Sequence, residues 1–317
     1  MKLLITGGAG FMGSHLVRFM VNNYHGDSII NYDKLTYAAD LANLRDIENK
    51  KNYKFVKGDI CDLDFLVQIL KDVDYVIHLA AESHVDNSIG NSLLFTMNNA
   101  YGTHVLLEAS RLNKIKKFVH VSTDEVYGSI KKGSFSEESI LSPTNPYSAS
   151  KAGAEMVVKS YYNTYKIPVV IMRCNNVFGP NQYPEKIIPK AITKMLIDKK
   201  IPLHGDGSYV RTYIYIKDFL NALDTIFNKG VIGETYNTGT SDEISNLGLV
   251  KSIITILKKD ESCIEFVKDR PFNDERYSVE TDKLKKLGWK QQFPFEQSLN
   301  ETVAWYKENM DWWIKKV

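Results

Sequence analysis

Cysteine is scarce in this sequence, and its three copies have no metal-binding or disulfide-like spacing. Cys61, Cys174 and Cys263 form no C-x-x-C motif and pair with no histidine pattern. This usage excludes a disulfide or zinc framework and favours a reducing compartment. No run approaches the ~18 apolar residues that a membrane span needs, and MKLLITGGAG turns to glycine too early for a signal peptide. We therefore expect a cytoplasmic protein.

A strong charge of one sign is also absent. The net charge is +2 at pH 7, so bulk charge favours neither nucleic acid nor a membrane as a partner. What is present is ordinary for a globular protein with a sizeable core, since 44% of the 317 residues are hydrophobic and 25% are charged. This length indicates one large α/β domain or two coupled lobes.

The first half of the chain alternates short apolar runs with segments of helical periodicity. The predicted strands are residues 2–6, 28–33, 53–60, 75–81, 117–123 and 168–174. The predicted helices are residues 13–23, 62–71, 93–112 and 147–165. Apolar runs without alternation, each followed by a helix, are typical of a parallel sheet that is covered on both faces. The pattern therefore predicts an α/β fold with a doubly wound parallel sheet.

After about residue 174 the alternation loosens, and Pro and Gly become frequent. A helix over 184–199, a strand or edge segment over 209–216 and helices near 217–228 and 246–258 are predicted there. We interpret this part as a smaller C-terminal lobe that caps the sheet. The aromatic end WYKENMDWWI is expected to pack on the body.

A glycine-rich turn joins the first predicted strand to the first predicted helix. Gly7, Gly10 and Gly13 have G-x-x-G-x-x-G spacing, which lets the backbone approach a pyrophosphate at the helix N-terminus. A tight turn without a ligand would use the same glycines. Asp33 ends the second strand, 20 residues after Gly13. A carboxylate at this position accepts hydrogen bonds from the adenosine ribose hydroxyls, and its charge disfavours a 2′-phosphate. We therefore predict NAD rather than NADP, although Lys34 adjoins Asp33.

A tyrosine and a lysine four residues apart form a candidate catalytic pair. At this spacing Tyr147 and Lys151 of NPYSASKAGAE lie on one face of a helix, and Pro146 favours the start of that helix. A nearby ammonium favours phenolate, so we expect Lys151 to lower the pKa of Tyr147 and make it a base. A Tyr and a Lys at this spacing are common on protein surfaces. In a chain that also carries the glycine-rich turn, the pair indicates a catalytic site.

Two adjacent acids follow the predicted strand 117–123 in VHVSTDEVYG. Asp124 and Glu125 repel each other and are costly to desolvate. Consecutive strand residues point to opposite faces, so both acids reach one ligand only from a turn just past the strand. Neighbouring carboxylates with different pKa values supply an acid and a base together. A solvated loop or a helix cap is the structural alternative.

Together these motifs resemble the extended short-chain dehydrogenase/reductase family and, within it, the nucleoside-diphosphate-glucose 4,6-dehydratases. The resemblance covers nearly the whole chain. It rests on KLTYA (34–38), GDICD (58–62), LAAESHVD (79–86), STDEVYG (122–128), NPYSASKA (145–152), FGPNQYPEKIIPK (178–190) and DRPFNDERY (269–277). STDEVYG discriminates best, because related sugar epimerases and decarboxylases share the Tyr and Lys but generally lack the Asp–Glu pair.

The resemblance implies a mechanism. Tyr147 takes the proton of the glucose C4 hydroxyl, which Thr123 hydrogen-bonds, while the C4 hydride passes to NAD. Glu125 removes the C5 proton, and Asp124, held protonated, gives its proton to the C6 hydroxyl, which leaves as water. The hydride returns to C6, so we expect a 4-keto-6-deoxy sugar nucleotide and no net NADH.

The strand ends and the resemblance define three sets of candidate site residues and no metal site. The catalytic candidates are Thr123, Asp124, Glu125, Tyr147 and Lys151. The cofactor-binding candidates are Gly7, Gly10, Phe11, Met12, Gly13, Asp33, Lys34, Leu35, Thr36, Asp59, Ile60, Leu79, Ala80, Ala81, Ser83, Asn98, Tyr147 and Lys151. The substrate-binding candidates are Ser83, His84, Thr123, Asn176, Glu185, Lys186, Pro202, His204, Arg211, Asn246, Arg270 and Asn273.

Two of the substrate-binding candidates suit a diphosphate in particular. Arg211 and Arg270 carry guanidinium groups, which match phosphate bidentately. His84 lies near the expected sugar, although a hydrogen-bonded structural histidine is the alternative.

The nucleotide preference is inferred from departures from the pattern of many bacterial dTDP-glucose enzymes. Phe272-Asn273 stands where Gly-His is common, Val177 replaces a second Asn, and Asn98 replaces a Thr. NNVFGPNQYPEK and RPFNDERY look closer to the UDP-glucose 4,6-dehydratase module of rhamnose synthases, so we expect UDP-glucose. A pocket distinguishes the one methyl group of thymine by only ~1–3 kcal/mol, which keeps dTDP-glucose as the alternative.

The resemblance also suggests how the chain is organised. Residues 1–174 are expected to form an NAD-binding Rossmann domain, to which elements near 209–238 return. Residues 175–208 and 239–317 are expected to form a nucleotide-sugar-binding lobe. A homodimer is expected through the helices near 93–112 and 147–165. No reductase-epimerase module follows, so completing rhamnose is expected to need another protein.

Two other functions stay open at this point. A sugar epimerase or decarboxylase of the same fold would use Tyr147 and Lys151 but would not need Asp124 and Glu125. A non-catalytic NAD sensor would keep the glycines but lose Tyr147 or Lys151.

Overall fold

The computed structural model describes residues 1–269 and 271–317. Its strands are β1 (Lys2–Thr6), β2 (Ser28–Asp33), β3 (Tyr53–Lys57), β4 (Tyr75–His78), β5 (Lys117–Thr123), β6 (Val169–Cys174), β7 (Asn176–Phe178), β8 (Ile201–His204), β9 (Val210–Tyr215), β10 (Thr235–Thr238), β11 (Glu243–Ser245) and β12 (Ile264–Val267). Its α-helices are α1 (Phe11–Asn23), α2 (Leu63–Ile69), α3 (Val85–Gly90), α4 (Ser92–Phe95), α5 (Gly102–Leu112), α6 (Pro146–Tyr165), α7 (Ile187–Leu196), α8 (Ile216–Lys229), α9 (Asn246–Leu257), α10 (Asp282–Lys286), α11 (Phe295–Glu308) and α12 (Met310–Trp313).

Seven strands form one sheet in the order β10-β6-β5-β4-β1-β2-β3. Every neighbouring pair in this sheet is parallel. The strand order reverses between β1 and β4, and ligands of such sheets bind beyond the strand ends at that point. The predicted parallel sheet is confirmed, and β10 extends it with a late segment of the chain.

Helices cover both faces of the sheet because successive strand residues point to opposite sides. In β1, Leu3 and Ile5 pack in the same core cluster as Leu16 of α1. Leu4, between them, packs in a second cluster with Leu106 of α5. All five side chains are fully buried, and each such burial contributes about 1.5–3 kcal/mol to stability. The sheet is therefore doubly wound, as predicted.

The later part of the chain adds two small sheets beside the large one. They have the orders β11-β9-β7 and β12-β8. The aromatic end packs on the body as predicted, since Trp313 is fully buried in the main core cluster and the Tyr306 hydroxyl donates to the Gln182 carbonyl. Among the described residues, no helix combines the length and apolar character that a membrane crossing needs.

Two strands are shorter than predicted, for a reason that lies in their neighbours. β4 ends at His78 rather than 81, because its partner β1 ends at Thr6, opposite His78. β3 ends at Lys57 rather than 60, because β2 ends at Asp33, opposite Lys57. The residues beyond these ends leave the ladder and turn into the crevice.

The predicted helix over 93–112 is interrupted. A π-helical segment, Thr96–Tyr101, separates α4 from α5. Asn99, in its middle, is buried and binds the Glu82 backbone through both amide atoms, at 2.8 and 2.9 Å. Such π-helical turns occur often at functional sites. This one ties the helix to the loop after β4, which a helical periodicity cannot predict.

Candidate active site

One cleft lies beyond the carboxyl ends of β1, β4, β5 and β6, with a cavity of about 420 Å³. Most predicted site residues line it. These are Gly7, Gly10, Phe11, Met12, Gly13, Asp33, Lys34, Thr36, Asp59, Ile60, Leu79, Ala80, Ala81, Ser83, His84, Asn98, Thr123, Glu125, Tyr147, Lys151, Asn176, Glu185, Lys186, Pro202, His204, Arg211, Asn246 and Asn273. Leu35 and Asp124 are not in its wall, and Arg270 lies outside the described residues.

The glycine turn between β1 and α1 leaves no room for side chains. Gly7 has a φ of +71°, a conformation that glycine adopts without cost. A Cβ at Gly7 would lie 2.8 Å from the Ala80 backbone, and one at Gly13 would clash with the Gly7 carbonyl. Backbone N–H groups at the start of α1 therefore stay open to a ligand, as a bound pyrophosphate requires.

Asp33 is held rigidly at the end of β2. Its carboxylate accepts hydrogen bonds from the backbone N–H of Ala9 at 2.9 Å and of Leu35 at 2.7 Å. Burial nevertheless raises the pKa of Asp33. Leu35 thus supports the site through its backbone N–H, and its own contact with the cofactor stays a prediction. The arrangement suits an acceptor for ribose hydroxyls.

Lys34, the cation next to Asp33 that could favour the 2′-phosphate of NADP, forms an ion pair within the chain. Its ammonium lies 2.6 Å from the carboxylate of Asp59 at the end of β3. This contact raises the pKa of Lys34 and lowers that of Asp59. A lysine engaged in this way is less available to a 2′-phosphate than a free one.

The two adjacent acids lie in a 3₁₀ turn, Asp124–Tyr127, directly after β5. The predicted turn just past the strand is confirmed. Thr123 caps it, because its hydroxyl accepts the Glu125 N–H at 3.3 Å. The turn sends the two side chains in different directions, since Glu125 lines the cleft and Asp124 is 2% exposed behind its wall.

Each carboxylate oxygen of Asp124 has one partner. Oδ2 accepts a hydrogen bond from Nδ2 of Asn175 at 2.6 Å, and Oδ1 accepts one from the Thr123 hydroxyl at 3.2 Å. Burial, and then the charge of Glu125, raise the pKa of Asp124 to about 7. A carboxyl group with this pKa is partly protonated near neutral pH, as a general acid must be.

Glu125 is the neighbouring group that faces the cavity. Nδ2 of Asn145 lies 3.5 Å from its Oε2. Burial raises the pKa of Glu125, while the charges of Lys186 and Arg211 act against that rise. Because these cations favour the carboxylate, Glu125 suits the role of base better than Asp124 does.

Tyr147 and Lys151 lie on one face of α6, but their electrostatics differ from the prediction. The Lys151 ammonium donates to the Val121 carbonyl at 2.8 Å, and burial lowers its pKa to about 8. Burial, followed by the charge of Glu125, raises the pKa of Tyr147 well above its usual value. The expectation that Lys151 lowers the pKa of Tyr147 is therefore wrong for this structure, because burial and nearby carboxylates dominate.

Two features fix α6 in front of the strand ends. Asn145 and Ser148 form a reciprocal capping box, and Pro146 occupies the first turn. Deeper in the helix, Glu155 forms a fully buried ion pair with Arg173 of β6 at 2.6 Å. Removing one partner of such a pair leaves an uncompensated buried charge. This contact therefore fixes the position of α6 relative to β6 of the sheet.

The far side of the cleft is built around Arg211 of β9. Its guanidinium carbon lies 4.4 Å from the centre of the Tyr277 ring, and Nη2 donates to Oδ1 of Asn273 at 3.1 Å. Asp274, next to Asn273, accepts hydrogen bonds from Thr144 and Tyr277. These contacts bring predicted residues from two distant segments into one wall.

A second group closes the cleft from the side of β2. The Tyr37 hydroxyl lies 2.9 and 3.0 Å from the two carboxylate oxygens of Glu185, and its ring meets Tyr183 edge-on at 5.4 Å. The Lys186 ammonium donates to the Ser83 carbonyl at 2.6 Å. The segment before α7 is thus tied to the loops after β2 and β4.

The other predicted substrate residues lie along the same wall. His84 lies 3.3 Å from the Glu185 carbonyl, and burial lowers its pKa to about 4, so it is neutral at pH 7. Pro202 and His204 are on β8, and Asn246 begins α9. Asn176 begins β7, and Asn98 lies in the π-helical segment.

Several residues of the site were not predicted. They are Glu82, Asn145, Asn175, Asp274 and Tyr277, all of which line the cleft. Each lies inside a segment that carried the resemblance or next to a predicted residue. Their roles depend on contacts between segments that are distant along the chain, and such contacts could not be predicted from the sequence.

A family model described as GDP-mannose 4,6 dehydratase matches residues 4–302. The chain belongs to this family. It is 48% identical over 98% of its length to the trifunctional UDP-glucose 4,6-dehydratase/UDP-4-keto-6-deoxy-D-glucose 3,5-epimerase/UDP-4-keto-L-rhamnose-reductase of Arabidopsis thaliana, and it spans 48% of that relative. It is 45% identical to the dTDP-D-glucose 4,6-dehydratase of Dictyostelium discoideum, over 99% of this chain and 83% of that relative.

A solved structure of the same family matches throughout. The dTDP-glucose 4,6-dehydratase of Streptomyces venezuelae, crystallised with NAD bound, superposes with a TM-score of 0.98 over 100% of both chains, at 42% identity. The resemblance drawn from the motifs is confirmed. At the level of the family, the predicted NAD cofactor and lyase class are confirmed as well.

Proposed function

We propose that this chain is an NAD-dependent nucleoside-diphosphate-glucose 4,6-dehydratase that acts on UDP-glucose. The observation that carries the proposal is the acid pair. Asp124 and Glu125 follow β5 directly; Glu125 lines one cleft with Tyr147 and Lys151, and Asp124 lies behind the wall of that cleft. An epimerase does not need the two adjacent acids. A non-catalytic cofactor sensor does not need the acids together with Tyr147 and Lys151.

The residues present fit NAD. The glycine turn packs so tightly that neither Gly7 nor Gly13 has room for a Cβ, which is the close turn that a bound pyrophosphate requires, and Asp33 is fixed where a ribose would lie. When bound, the cofactor supplies a reversible acceptor for the C4 hydride. The residues that would hold it are the predicted cofactor-binding set, with Leu35 acting through its backbone.

The side chains of the cleft supply the proton transfers. Tyr147 must first lose its own proton, because burial raises its pKa. As phenolate it takes the proton of the C4 hydroxyl, and the resulting ketone acidifies the C5 proton. Glu125, which faces the cavity, removes that proton and later returns it. Asp124 provides the proton for the C6 oxygen, which leaves as water. Elimination needs an acid and a base together, and the different environments of the two carboxylates supply them.

UDP-glucose is favoured over dTDP-glucose on the motifs. Phe272-Asn273 and Val177 depart from the bacterial dTDP-glucose pattern, and Asn273 contacts Arg211 in the cleft wall. The identities to the UDP-glucose and dTDP-glucose relatives, 48% and 45%, are too close to decide. dTDP-glucose is therefore the second candidate. The product would be UDP-4-keto-6-deoxy-glucose, an early intermediate of rhamnose or another deoxysugar.

The test is incubation with UDP-glucose and with dTDP-glucose in parallel, without a reductant. We expect a product lighter by one water, a 4-ketone that absorbs in alkali, no net NADH, and a larger kcat/KM for UDP-glucose. A product of unchanged mass with inverted C4 would contradict the elimination. A larger kcat/KM for dTDP-glucose would contradict only the nucleotide assignment.

We also propose the expected division of the chain. Residues 1–174, together with 209–238, would form the NAD-binding domain, and 175–208 with 239–317 the nucleotide-sugar-binding lobe. β10 supports this division, because it pairs with β6 of the large sheet.

A homodimer through the helical stretch from α4 to α5 and through α6 is proposed on the exposed apolar side chains of these helices. Leu93, Met97 and Tyr101 are 77%, 51% and 47% exposed, and Met156 of α6 is 48% exposed. Such side chains grouped on neighbouring helices suit burial against a second copy. Light scattering should give twice the chain mass, and Leu93→Lys should lower it. A monomer at micromolar concentration would contradict the proposal.

A further inference from the structure

Three neighbouring strands of the large sheet end at the same level beside the acid pair. The last residue of β6 is paired with the last residue of β5 on one side and of β10 on the other. The residues that follow these three ends are Asp124, Asn175 and Gly239. The backbone N–H of Asn175 also donates to the Thr238 carbonyl of β10 at 2.9 Å. Asn175 is therefore held between the acid and Gly239.

The two ends of the Asn175 amide have different surroundings. Nδ2 donates to Oδ2 of Asp124 at 2.6 Å. Oδ1 is buried and has no hydrogen-bond partner among residues 1–269 and 271–317. Leaving a buried acceptor without a donor costs free energy. Hydrogen bonds on the Oδ1 side therefore do not explain how the amide is held.

Gly239 lies against the side of the amide that lacks a hydrogen bond. A Cβ on Gly239 would lie 1.7 Å from Oδ1 and 2.6 Å from Cγ of Asn175, far inside van der Waals contact. Gly239 is not one of the glycines with a positive φ, so its backbone conformation does not itself demand glycine. The requirement comes from the space that the Asn175 oxygen occupies.

On the basis of the proposed dehydratase reaction, we propose that Asn175 and Gly239 are positioning residues for the acid Asp124. The bare Cα of Gly239 gives the amide oxygen its place, and the amide N–H is thereby kept on Oδ2 of Asp124. Oδ1 of the same carboxyl group stays with the Thr123 hydroxyl, at 3.2 Å. Asn175 and Gly239 transfer no proton themselves. They orient the carboxyl group that must protonate the departing C6 oxygen.

The same hydrogen bond affects how readily Asp124 releases its proton. Burial, and then the charge of Glu125, raise the pKa of Asp124 to about 7, and the hydrogen bond from Asn175 acts against that rise. A donor favours the charged form of a carboxyl group, so its loss should raise the pKa further. A general acid works best when its pKa lies near the operating pH. The same carboxylate also interacts with Arg211 of β9, Cys174 of β6 and Tyr147 of α6.

The pH dependence of kcat tests the orientation of Asp124. Because Asp124 acts only when protonated, kcat should fall as the pH rises above 7. In Asn175→Ala and in Gly239→Ala this decrease should begin about one pH unit higher. Asn237→Ala is the control, since Asn237 of β10 is fully buried but binds Tyr127 instead. It should lower the melting temperature without moving the profile. An unmoved profile in Asn175→Ala would overturn the proposal.

A double variant separates the contact between the two residues from general damage to the fold. The three atoms nearest to a Cβ on Gly239 all belong to the Asn175 amide, and Asn175→Ala removes them. Gly239→Ala should therefore move the pH profile of the wild-type protein but not that of Asn175→Ala, so the two shifts should not add. Additive shifts would overturn the role of Gly239. Asn175→Ala alone still tests the role of the amide if Gly239→Ala does not fold.

Infrared titration of the NAD-bound protein separates this proposal from the function on which it rests. The carboxyl band that is lost in Asp124→Asn reports the protonation of Asp124 without any substrate. Its midpoint should rise by about one pH unit in Asn175→Ala. An unchanged midpoint would overturn the positioning role, whether or not the protein removes water. If the midpoint rises but wild-type protein removes no water from UDP-glucose or dTDP-glucose, the proposed function fails and the effect of Asn175 on Asp124 stands.

Discussion

The two halves of the cleft are held by different kinds of contact. In the cofactor half, backbone geometry sets the site. Gly7 and Gly13 leave no space for a Cβ, and two backbone N–H groups fix the Asp33 carboxylate. All of these residues lie between the end of β1 and the first turn of α1, or at the end of β2.

In the substrate half, side chains from distant segments set the site. Arg211 of β9 stacks on Tyr277 and binds Asn273, and Tyr37 binds Glu185 across the cleft. A backbone-built half tolerates almost no change, whereas a half built from side chains can be adjusted one contact at a time. We infer that cofactor binding is fixed in this fold and that nucleotide preference is adjustable.

The largest effect is expected in the cofactor half. Gly13→Ala adds a Cβ that clashes with the Gly7 carbonyl, and because the neighbour is backbone it cannot move aside. We expect NAD binding about 100-fold weaker or lost, from ~3 kcal/mol of overpacking. Titration with NAD measures this. Gly26→Ala is the control, since a Cβ there meets nothing within 4 Å. Equal NAD affinity in both variants would contradict the backbone-built site.

A large effect is also expected where the halves meet, at the end of β5. Asp124 acts as an acid only when protonated, and its pKa is about 7. The rate kcat should therefore fall as pH rises above 7, by about tenfold per unit at the limit. Asp124→Asn should lower kcat about 100-fold and abolish the decrease of kcat above pH 7, which is the alkaline limb of the pH profile. Glu125→Gln should instead remove the decrease of kcat at low pH, because Glu125 acts as a base only when it is deprotonated. A falling limb that persists in Asp124→Asn would assign it to another group.

A smaller effect is expected in the substrate half. Arg211→Gln removes a cation and the ring contact with Tyr277, and we expect KM for UDP-glucose to rise about tenfold. The Arg211 charge lowers the pKa values of Asp124 and Glu125, so both limbs of the pH profile should move to higher pH. Arg276→Gln is the control, because Arg276 binds Glu243 and does not line the cleft. An unchanged profile in Arg211→Gln would place the cation away from the acid pair.

The same contrast explains how much could be predicted from the sequence. The glycine turn, Asp33 and the acid pair lie in short continuous segments, and strand periodicity places each at a sheet end. The turn that holds Asp124 and Glu125 was predicted from strand alternation and from the requirement that both acids reach one ligand; the turn is confirmed, although only Glu125 lines the cleft. These residues follow from local rules, because strand ends of a parallel sheet meet at one edge.

What could not be predicted depends on contacts between distant segments. Asn175 binds Asp124 from the neighbouring strand, and Asn99 interrupts a regular helix to hold the Glu82 backbone. The pKa of Tyr147 was predicted from Lys151, its neighbour on the helix. Burial and Glu125, which comes from another element, decide it instead. Electrostatics depend on the folded surroundings more than on spacing along the chain.

The smallest effect tests the link between the two halves. Tyr37→Phe keeps the ring against Tyr183 but removes the hydrogen bonds to Glu185. Tyr37 is 48% exposed, so we expect a loss of only ~1 kcal/mol, or about fivefold in kcat/KM. NAD affinity should change little, because Asp33 and the glycines are untouched. Tyr75→Phe is the control, because Tyr75 begins β4 at the end away from the cleft and does not line it. If Tyr37→Phe weakened NAD binding as much as substrate binding, the two halves would not be separable, and the contrast between them would fail.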